Sequence, residues 1–401
     1  MNMKKVEATV VFALTWQFVF AGVCLSDTFT NRQTKEVVHG YAVGVSEGGQ
    51  IKVRAQEKGE IVLSPNDWLS VRDRLGRNNK VIVLTVDEPI MYELETEAFE
   101  QAIAADANEG PLLILVEIDT PGGRVDFAKR MCAAITKTAN CDVIAFIKGG
   151  QYGGAISAGS AIALACNKIY MANNTVIGAA TIVNSTKAQE QGKDKSYKEV
   201  IDEKSSSAWR AFLASLAQHN NRSGLLARAM VDSSIDVIEV NQAGGRDFIE
   251  PVNKKPQQET VRTWNKSGSL LTLTAQEAAA CSIADGLANS RQELLQQLGA
   301  GDANVVVEKR MANARRELEL VGRKLAEIRK SLDMKIKQAQ NPQPAPKALS
   351  ILRGARSDFE TLIALTKKYP DLPFDIAALE SELNTINAEY EKILRESKSR
   401  K

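Results

Sequence analysis

The pattern of hydrophobic and polar positions divides the chain into segments of different character. Residues 27–80 contain short β-branched and apolar runs separated by Gly-containing turns, which predict a small β domain closed into a barrel-like unit. Residues 81–300 carry continuous apolar runs at 81–86, 112–118 and 143–147. Runs of this kind are typical of parallel strands that are buried on both faces. The central segment is therefore predicted to be an α/β domain.

Helical periodicity fills the intervals between and after these apolar runs. The predicted helices are 93–108, 124–138, 157–165 and 203–218. Because strands and helices alternate, the central domain is expected to contain a parallel sheet covered by helices.

The last segment, residues 303–401, changes to apolar residues that recur at alternating spacings of three and four. The seam of the first repeat runs through Val307, Met311, Ala314, Leu318, Val321, Leu325, Ile328 and Leu332. Such heptads predict an α-helical coiled-coil region, and the prolines at 341–346 break it. Two interpretations stay open: an arm that mediates homo-oligomerisation or docks a coiled-coil partner, and a helical hairpin formed within the chain.

Residues 1–26 have a basic start, an apolar stretch and small residues near its end, which is typical of a secretory signal peptide. The sequence thus predicts an exported protein of the periplasm or cell envelope. The apolar stretch is also about long enough to cross a bilayer, so an uncleaved N-terminal membrane anchor is the alternative. The net charge of +2 over 401 residues gives no indication of a nucleic-acid partner.

Cysteine and histidine are both scarce in this chain. The cysteines beyond the signal segment match no zinc-binding spacing; they are Cys132, Cys141, Cys166 and Cys281. Export would permit a disulfide, for which Cys141 and Cys166 are a candidate pair, and buried free thiols are the alternative. The chain has only two histidines, His39 and His219, which limits the candidates for a general base.

Two glycine-rich turns follow consecutive strands of the predicted parallel sheet. The first is Asp119-Thr-Pro-Gly-Gly123, and the second leads through Gly154-Ala-Ile-Ser-Ala-Gly159 into a helix. Ligand sites of parallel sheets form beyond the carboxyl ends of the strands. The second turn places Ser157 at a helix start, where unpaired N–H groups suit an oxyanion. Together the turns predict an acyl-transfer site with Ser157 as the nucleophile.

These two turns resemble the site loops of the Clp-protease/crotonase fold. They resemble more closely the protease domain of NfeD-type membrane-bound serine proteases, which are relatives of signal peptide peptidase A. The resemblance covers about residues 80–300. It implies a parallel β/α superhelix and a serine endopeptidase that acts through an acyl-enzyme on apolar peptide or membrane-protein segments. No metal or organic cofactor is implied.

The resemblance also implies the residues of the site. The catalytic pair would be Ser157 and Lys204, and the oxyanion hole would be formed by Gly122, Gly123 and Ala158. A lysine accepts a proton only as a neutral amine, which a dry, apolar surrounding favours. Side chains that follow on the same helix could supply such a surrounding; they are Ala208, Trp209 and Phe212.

Other residues compete for the role of base less well. His39 belongs to the small β domain, and His219 would lie roughly 22 Å from Lys204 along a helix that rises 1.5 Å per residue. Lys195 and Lys198 lie in a charged, loop-like stretch, where an amine would stay hydrated and protonated. The sequence therefore favours Lys204.

Three other functions remain compatible with this sequence. The chain could be a catalytically inactive scaffold or oligomerisation protein of the cell envelope, because the membrane helices and terminal barrel of NfeD-type relatives are missing from it. It could be a crotonase-type enzyme for acyl-CoA, which the Ser-Lys pair and the predicted export disfavour. The β unit and the coiled coil could also be the working parts, with the central domain as an oligomerising core.

Overall fold

The computed structural model describes residues 27–399 except for a few short gaps. The gaps are 47, 56–57, 72–77, 109, 140, 183, 186–198, 201–202, 243–244, 302 and 340–342. The predicted signal peptide at 1–26 and the candidate bases Lys195 and Lys198 lie outside the described residues. The chain forms two compact units: the first comprises Met1–Pro89 and Glu100–Glu308, and the second comprises Ile90–Phe99 and Lys309–Lys401.

The first strands of the first unit form a five-stranded antiparallel sheet in the order β4-β3-β2-β1-β5. Its strands are β1 (Asp27–Asn31), β2 (Val37–Val45), β3 (Ile51–Ala55), β4 (Gly59–Leu63) and β5 (Trp68–Val71). Alternate residues of β3 are buried, as the sequence pattern predicted. In the pairings of the described residues, β4 and β5 are the two ends of the sheet, so these pairings do not form the closed barrel that was expected.

A six-stranded parallel sheet forms the centre of the first unit, in the order β18-β10-β8-β7-β6-β19. Its strands are β6 (Asn78–Val86), β7 (Pro111–Ile118), β8 (Asp142–Ile147), β10 (Lys168–Met171), β18 (Gly286–Leu287) and β19 (Asn304–Val307). Strand β7 is almost entirely buried because helices cover both faces of a parallel sheet. The mixed α/β class and the parallel sheet are thus confirmed.

Three smaller sheets complete the strands of this unit. The first joins β9 (Gly154–Ile156), β11 (Val176–Gly178) and β17 (Thr272–Thr274), and the second joins β12 (Asn184–Ser185) and β13 (Glu199–Val200). The third joins β14 (Val237–Gln242), β15 (Gly245–Ile249) and β16 (Glu259–Asn265). The sequence did not predict this third sheet, because most of β16 is exposed and lacks the apolar alternation that indicates a strand.

The helices observed before position 300 include all four that the sequence predicted, with ends that differ by at most two residues. They are α1 (Glu93–Asn108), α2 (Val125–Thr136), α3 (Ala158–Ala165), α4 (Glu203–His219), α5 (Gly224–Ala229), α6 (Ala275–Ala280) and α7 (Arg291–Gln297). Helix α3 is buried along its whole length, which explains its almost continuous apolar sequence.

The second unit contains three long helices, α8 (Arg310–Ala339), α9 (Ala345–Lys368) and α10 (Ile376–Ser399). Helix α9 packs against both of the others. Their apolar seams meet in a core that contains Ile328, Phe359, Leu362, Ile363 and Leu379. The helical seam therefore has partners within the chain, as the helical-hairpin interpretation predicted, but Val307, its predicted first residue, belongs to strand β19 and lies outside the helix. Among the helices that the structure describes, none is long and apolar enough to cross a membrane.

Candidate active site

Ser157 lies at the junction of strand β9 and helix α3, and its backbone is strained. Its φ is 54° and its ψ is −119°, a left-handed conformation that costs a residue with a side chain on the order of 1–3 kcal/mol. The backbone is held there because Ser157 N–H donates to the Gly178 carbonyl oxygen at 2.9 Å. The residue is only half-buried. A sharp strand-to-helix turn of this kind presents a serine hydroxyl at the end of a sheet.

Helix α3 starts directly after Ser157 and gives the site a positive helix end. Ala158 is its first residue and is buried, and its N–H belongs to the set that finds no acceptor within a helix. One turn later Ser160 is fully buried: its hydroxyl donates toward the Ala155 and Gly178 carbonyls and accepts from Gly178 N–H at 2.9 Å. Ser160 therefore fixes α3 against β9 and β11.

Gly122 brings the first glycine-rich turn into contact with Ser157. A Cβ added at Gly122 would lie 2.6 Å from Ser157 Cβ and 2.9 Å from Ala158 N, and its φ of +99° also favours glycine. Its N–H donates to Thr120 Oγ1 at 3.1 Å. Gly122 thus serves the site by allowing close approach. Gly123, which follows it, is exposed.

The first turn is also attached to strand β9 through its backbone. Thr120 forms a parallel bridge with Ala155, in which Thr120 N–H donates to Gly154 O at 2.8 Å and Ile156 N–H donates to Thr120 O at 3.0 Å. These bonds explain why the two turns, which are more than thirty residues apart, lie beside the same serine.

Asp119 fixes the backbone of the second glycine-rich turn through hydrogen bonds. Its carboxylate is buried, with 3% exposure, and accepts hydrogen bonds from Gly154 N–H at 3.0 Å and from Tyr152 N–H at 3.1 Å. From the sequence alone, Asp119 was only the first residue of the first glycine-rich turn, with no role assigned. The available signal was an acidic residue placed directly after a buried strand, since a buried carboxylate needs hydrogen-bond donors.

Lys204 is the second residue of helix α4 and is exposed. Of the neighbours expected to make its surrounding dry, Ala208 is exposed, and Trp209 is buried with its indole N–H donating to Ala180 O at 2.8 Å. The dry surrounding of the amine that the sequence predicts therefore stays a prediction. The helix itself begins where the sequence predicted.

Neither histidine lies near Lys204 in the order of the chain. His39 is in β2, where Nδ1 lies 3.2 Å from Thr28 Oγ1, and His219 is the last residue of α4. The positions fit the argument that favoured a lysine over a histidine as the base.

The four cysteines of the described chain are free and buried. The candidate disulfide between Cys141 and Cys166 is not formed, and the alternative of buried thiols describes the structure. Burial raises the pKa of Cys166 to about 12 and that of Cys281 to about 11. A raised pKa keeps a thiol protonated at neutral pH, which disfavours Cys166 and Cys281 as nucleophiles.

Comparison with known proteins identifies the segment that contains these turns. The NfeD1b N-terminal domain family matches residues 80–249. A curated relative, the membrane protein NfeD1b of Bacillus subtilis (strain 168), is 32% identical over 192 residues. This alignment covers 48% of the chain and 35% of the relative, so the chain spans about a third of that relative's length.

Solved structures of the 1510-N membrane proteases are also similar. A mutant of the membrane-bound stomatin-specific protease has a TM-score of 0.42 and 21% identity, covering 58% of this chain and 98% of that one. The protease specific for a stomatin homolog from Pyrococcus horikoshii has a TM-score of 0.36 and 22% identity, covering 57% and 91%. The family match at 80–249 shows that the central segment of the chain is similar to the NfeD1b N-terminal domain, which confirms the resemblance that its two glycine-rich turns indicated.

Proposed function

We propose that this protein is a serine peptidase that cleaves peptide bonds through an acyl-enzyme on Ser157. The observation that carries the proposal is the strained backbone of Ser157, which stands at a helix start with Gly122 pressed against it. Strain of this kind persists only where the surrounding structure enforces it, and it clusters at active sites.

In the proposed mechanism, Ser157 Oγ attacks the carbonyl carbon of the scissile peptide bond. The proton passes to Lys204 and then to the leaving amine, and a water molecule later hydrolyses the ester by the reverse route. The oxyanion would receive hydrogen bonds from Gly123 and Ala158 N–H. Gly122 N–H already has an acceptor in Thr120, so the donor role is assigned to the other two.

The exposure of Lys204 sets a condition on this mechanism. A general base works best where water is excluded from the reacting groups. We therefore propose that bound substrate completes the site by covering the amine and excluding water from it. This condition favours an extended, apolar substrate over a small polar one, in keeping with the peptide substrates implied by the family resemblance.

The location of the protein in the cell is proposed from the same resemblance. Membrane or envelope association follows from the relative, which is a membrane protein, and from the predicted signal or anchor at residues 1–26. We also propose that the central domain is a parallel β/α superhelix, that residues 27–80 form a separate β domain and that the protein forms homo-oligomers. A coiled-coil partner would have to bind the outer faces of helices α8 to α10, since their seams are used within the chain.

A fluorophosphonate probe tests the nucleophile directly. We expect the native chain to be labelled, Ser157→Ala to be unlabelled, and Lys204→Ala to label about 10²–10⁴-fold more slowly, the usual worth of a general base. Ser207→Ala and Lys266→Ala are matched controls, since both residues are exposed, and they should label at the native rate.

The alternative function is a catalytically inactive scaffold, and the exposed Lys204 is the observation that favours it. If the native protein takes up no label, or if Ser157→Ala labels equally, the peptidase proposal fails and the scaffold stands. If labelling is intact but casein and apolar peptides remain uncut, the reaction is an acyl transfer other than peptide cleavage. A crotonase-type activity would require CoA to raise the melting temperature.

A further inference from the structure

A polar cavity lies in the first unit, and none of the proposed catalytic residues lines it. Its volume is about 590 Å³, within the range of small-molecule sites. It is bounded by the turn between α4 and α5, by strand β15 and by the turn that follows α6. The proposed peptidase function leaves this cavity unexplained.

Arginine is the predominant charged residue of the cavity lining. Three arginines line it, namely Arg222, Arg228 and Arg246, and Asp247 is the carboxylate among the lining residues. Arg222 and Arg246 already have carboxylate partners, Asp285 and Glu239 (the latter at 3.7 Å), so their charges are balanced within the protein. Arginine is also the side chain best suited to phosphate and carboxylate groups, because its planar fork donates two parallel hydrogen bonds.

Two of these arginines are held in place by the protein. Arg222 is buried and donates to the carbonyl oxygens of Ile283 and Cys166, and its charge is balanced by Asp285 at 2.8 Å. Arg246 donates to Ala280 O at the end of α6 and to Ser282 Oγ. Because both side chains are anchored, they form rigid walls and would lose little conformational entropy on binding a ligand.

Arg228 differs from the other two. It is exposed at the last turn of α5, and its guanidinium forms no ion pair with any residue that the structure describes. It therefore presents an uncompensated positive charge to a cavity whose other walls are already fixed. An arginine in this position is available to a ligand.

Asn221 and Ser282, which both line the cavity, have φ values of 59° and 58°. They follow the ends of α4 and α6, where a left-handed residue commonly closes a helix. The two turns that they form are part of the cavity wall.

We propose that this cavity is a binding site for a small multivalent oxyanion, carrying phosphate or carboxylate groups, with Arg228 as the side chain that closes on it. The site is separate from Ser157 and does not depend on the peptidase proposal. A ligand with two or more charged groups fits best, because Arg228 and Arg246 approach the cavity from different elements.

Isothermal titration of the full chain with pyrophosphate, and separately with citrate, tests this site. Sodium chloride holds the ionic strength constant in both titrations, so that general screening does not mimic binding. We expect saturable binding of at least one anion, and the tighter of the two identifies phosphate or carboxylate as the preferred group. Arg228→Ala should weaken binding about tenfold to a hundredfold, as the loss of a charge-assisted hydrogen bond does.

Two further variants make the result specific. Arg228→Lys keeps the charge but not the fork, and it should bind with intermediate affinity. Arg32→Ala removes an exposed guanidinium in the turn after β1, which does not line the cavity, and it should bind like the native chain. The inference is overturned if neither anion shows saturable binding, or if Arg228→Ala binds as tightly as Arg32→Ala.

Discussion

Ser157 combines a polar side chain with a backbone conformation that suits glycine. Packing does not explain this choice, because the residue is half-buried and its N–H and C=O are both used by the turn, bonding to Gly178 O and Ser160 N. A stability-optimised sequence would place glycine here. We interpret the serine as retained for its hydroxyl at a cost in stability, which is the usual trade-off at functional sites.

This interpretation predicts that Ser157→Gly is more stable than Ser157→Ala by about 1 kcal/mol, since only glycine relieves the strain. Urea unfolding of the two variants measures the difference. Ser207, an exposed residue within helix α4, is the control: there the glycine variant should be less stable than the alanine variant by about 1 kcal/mol. The same order of stability at both positions would show that Ser157 is not strained.

At the scale of elements, the site depends on how closely the turn after β7 approaches the start of α3. Backbone bonds from Thr120 align the turn with β9, and the Asp119 carboxylate secures the loop that leads into β9. Gly122 is then the contact point, where even a methyl group has no room. This contact positions the proposed oxyanion donors and the proposed nucleophile.

Gly122→Ala should therefore lower the free energy of unfolding by about 2–4 kcal/mol, from the left-handed backbone and the steric overlap together. Probe labelling of Ser157 should also fall at least tenfold, because the serine must move. Gly59→Ala is the matched control, since Gly59 has a φ of +70° but open space around its Cβ position. It should lose only about 1 kcal/mol and label normally. Equal effects at the two glycines would contradict the proposed contact.

At the scale of the whole molecule, the buried thiols couple stability to alkaline pH. Burial raises the pKa values of Cys132, Cys166 and Cys281 above the ordinary value of 9.0. The folded state thus keeps protons that the unfolded state releases. The stability from Cys166 and Cys281 is complete below about pH 9 and is lost as pH rises through about 11 to 12.

Urea unfolding of the native chain and of Cys166→Ala, between about pH 8 and about pH 10.5, checks this coupling. Lysines and tyrosines titrate in both proteins, so the difference between the two isolates the thiol. The native chain should lose on the order of 2 kcal/mol more than the variant, at 1.36 kcal/mol per pH unit above the unfolded pKa. A pH-independent difference would show that the thiol is not buried as described.

The sequence by itself determined the elements and the two turns of the site. Continuous apolar runs identified strands β6, β7 and β8, and helical periodicity located α1 to α4, because burial on both faces or on one face leaves a direct trace in the order of residues. The glycines of both turns and Ser157 were visible for the same reason: backbone conformation at a turn is a local property.

Only the tertiary structure decided which groups meet. Residues that are far apart in the chain form the contact of Gly122 with Ser157, the hydrogen bonds of Asp119 and the arginine-lined cavity. The exposure of Lys204 was also decided by the tertiary structure. The partners of the helical seams were decided in the same way, since a heptad pattern is satisfied equally by another chain or by a neighbouring helix. Local sequence encodes the need for burial or charge balance, and the folded arrangement determines what satisfies it.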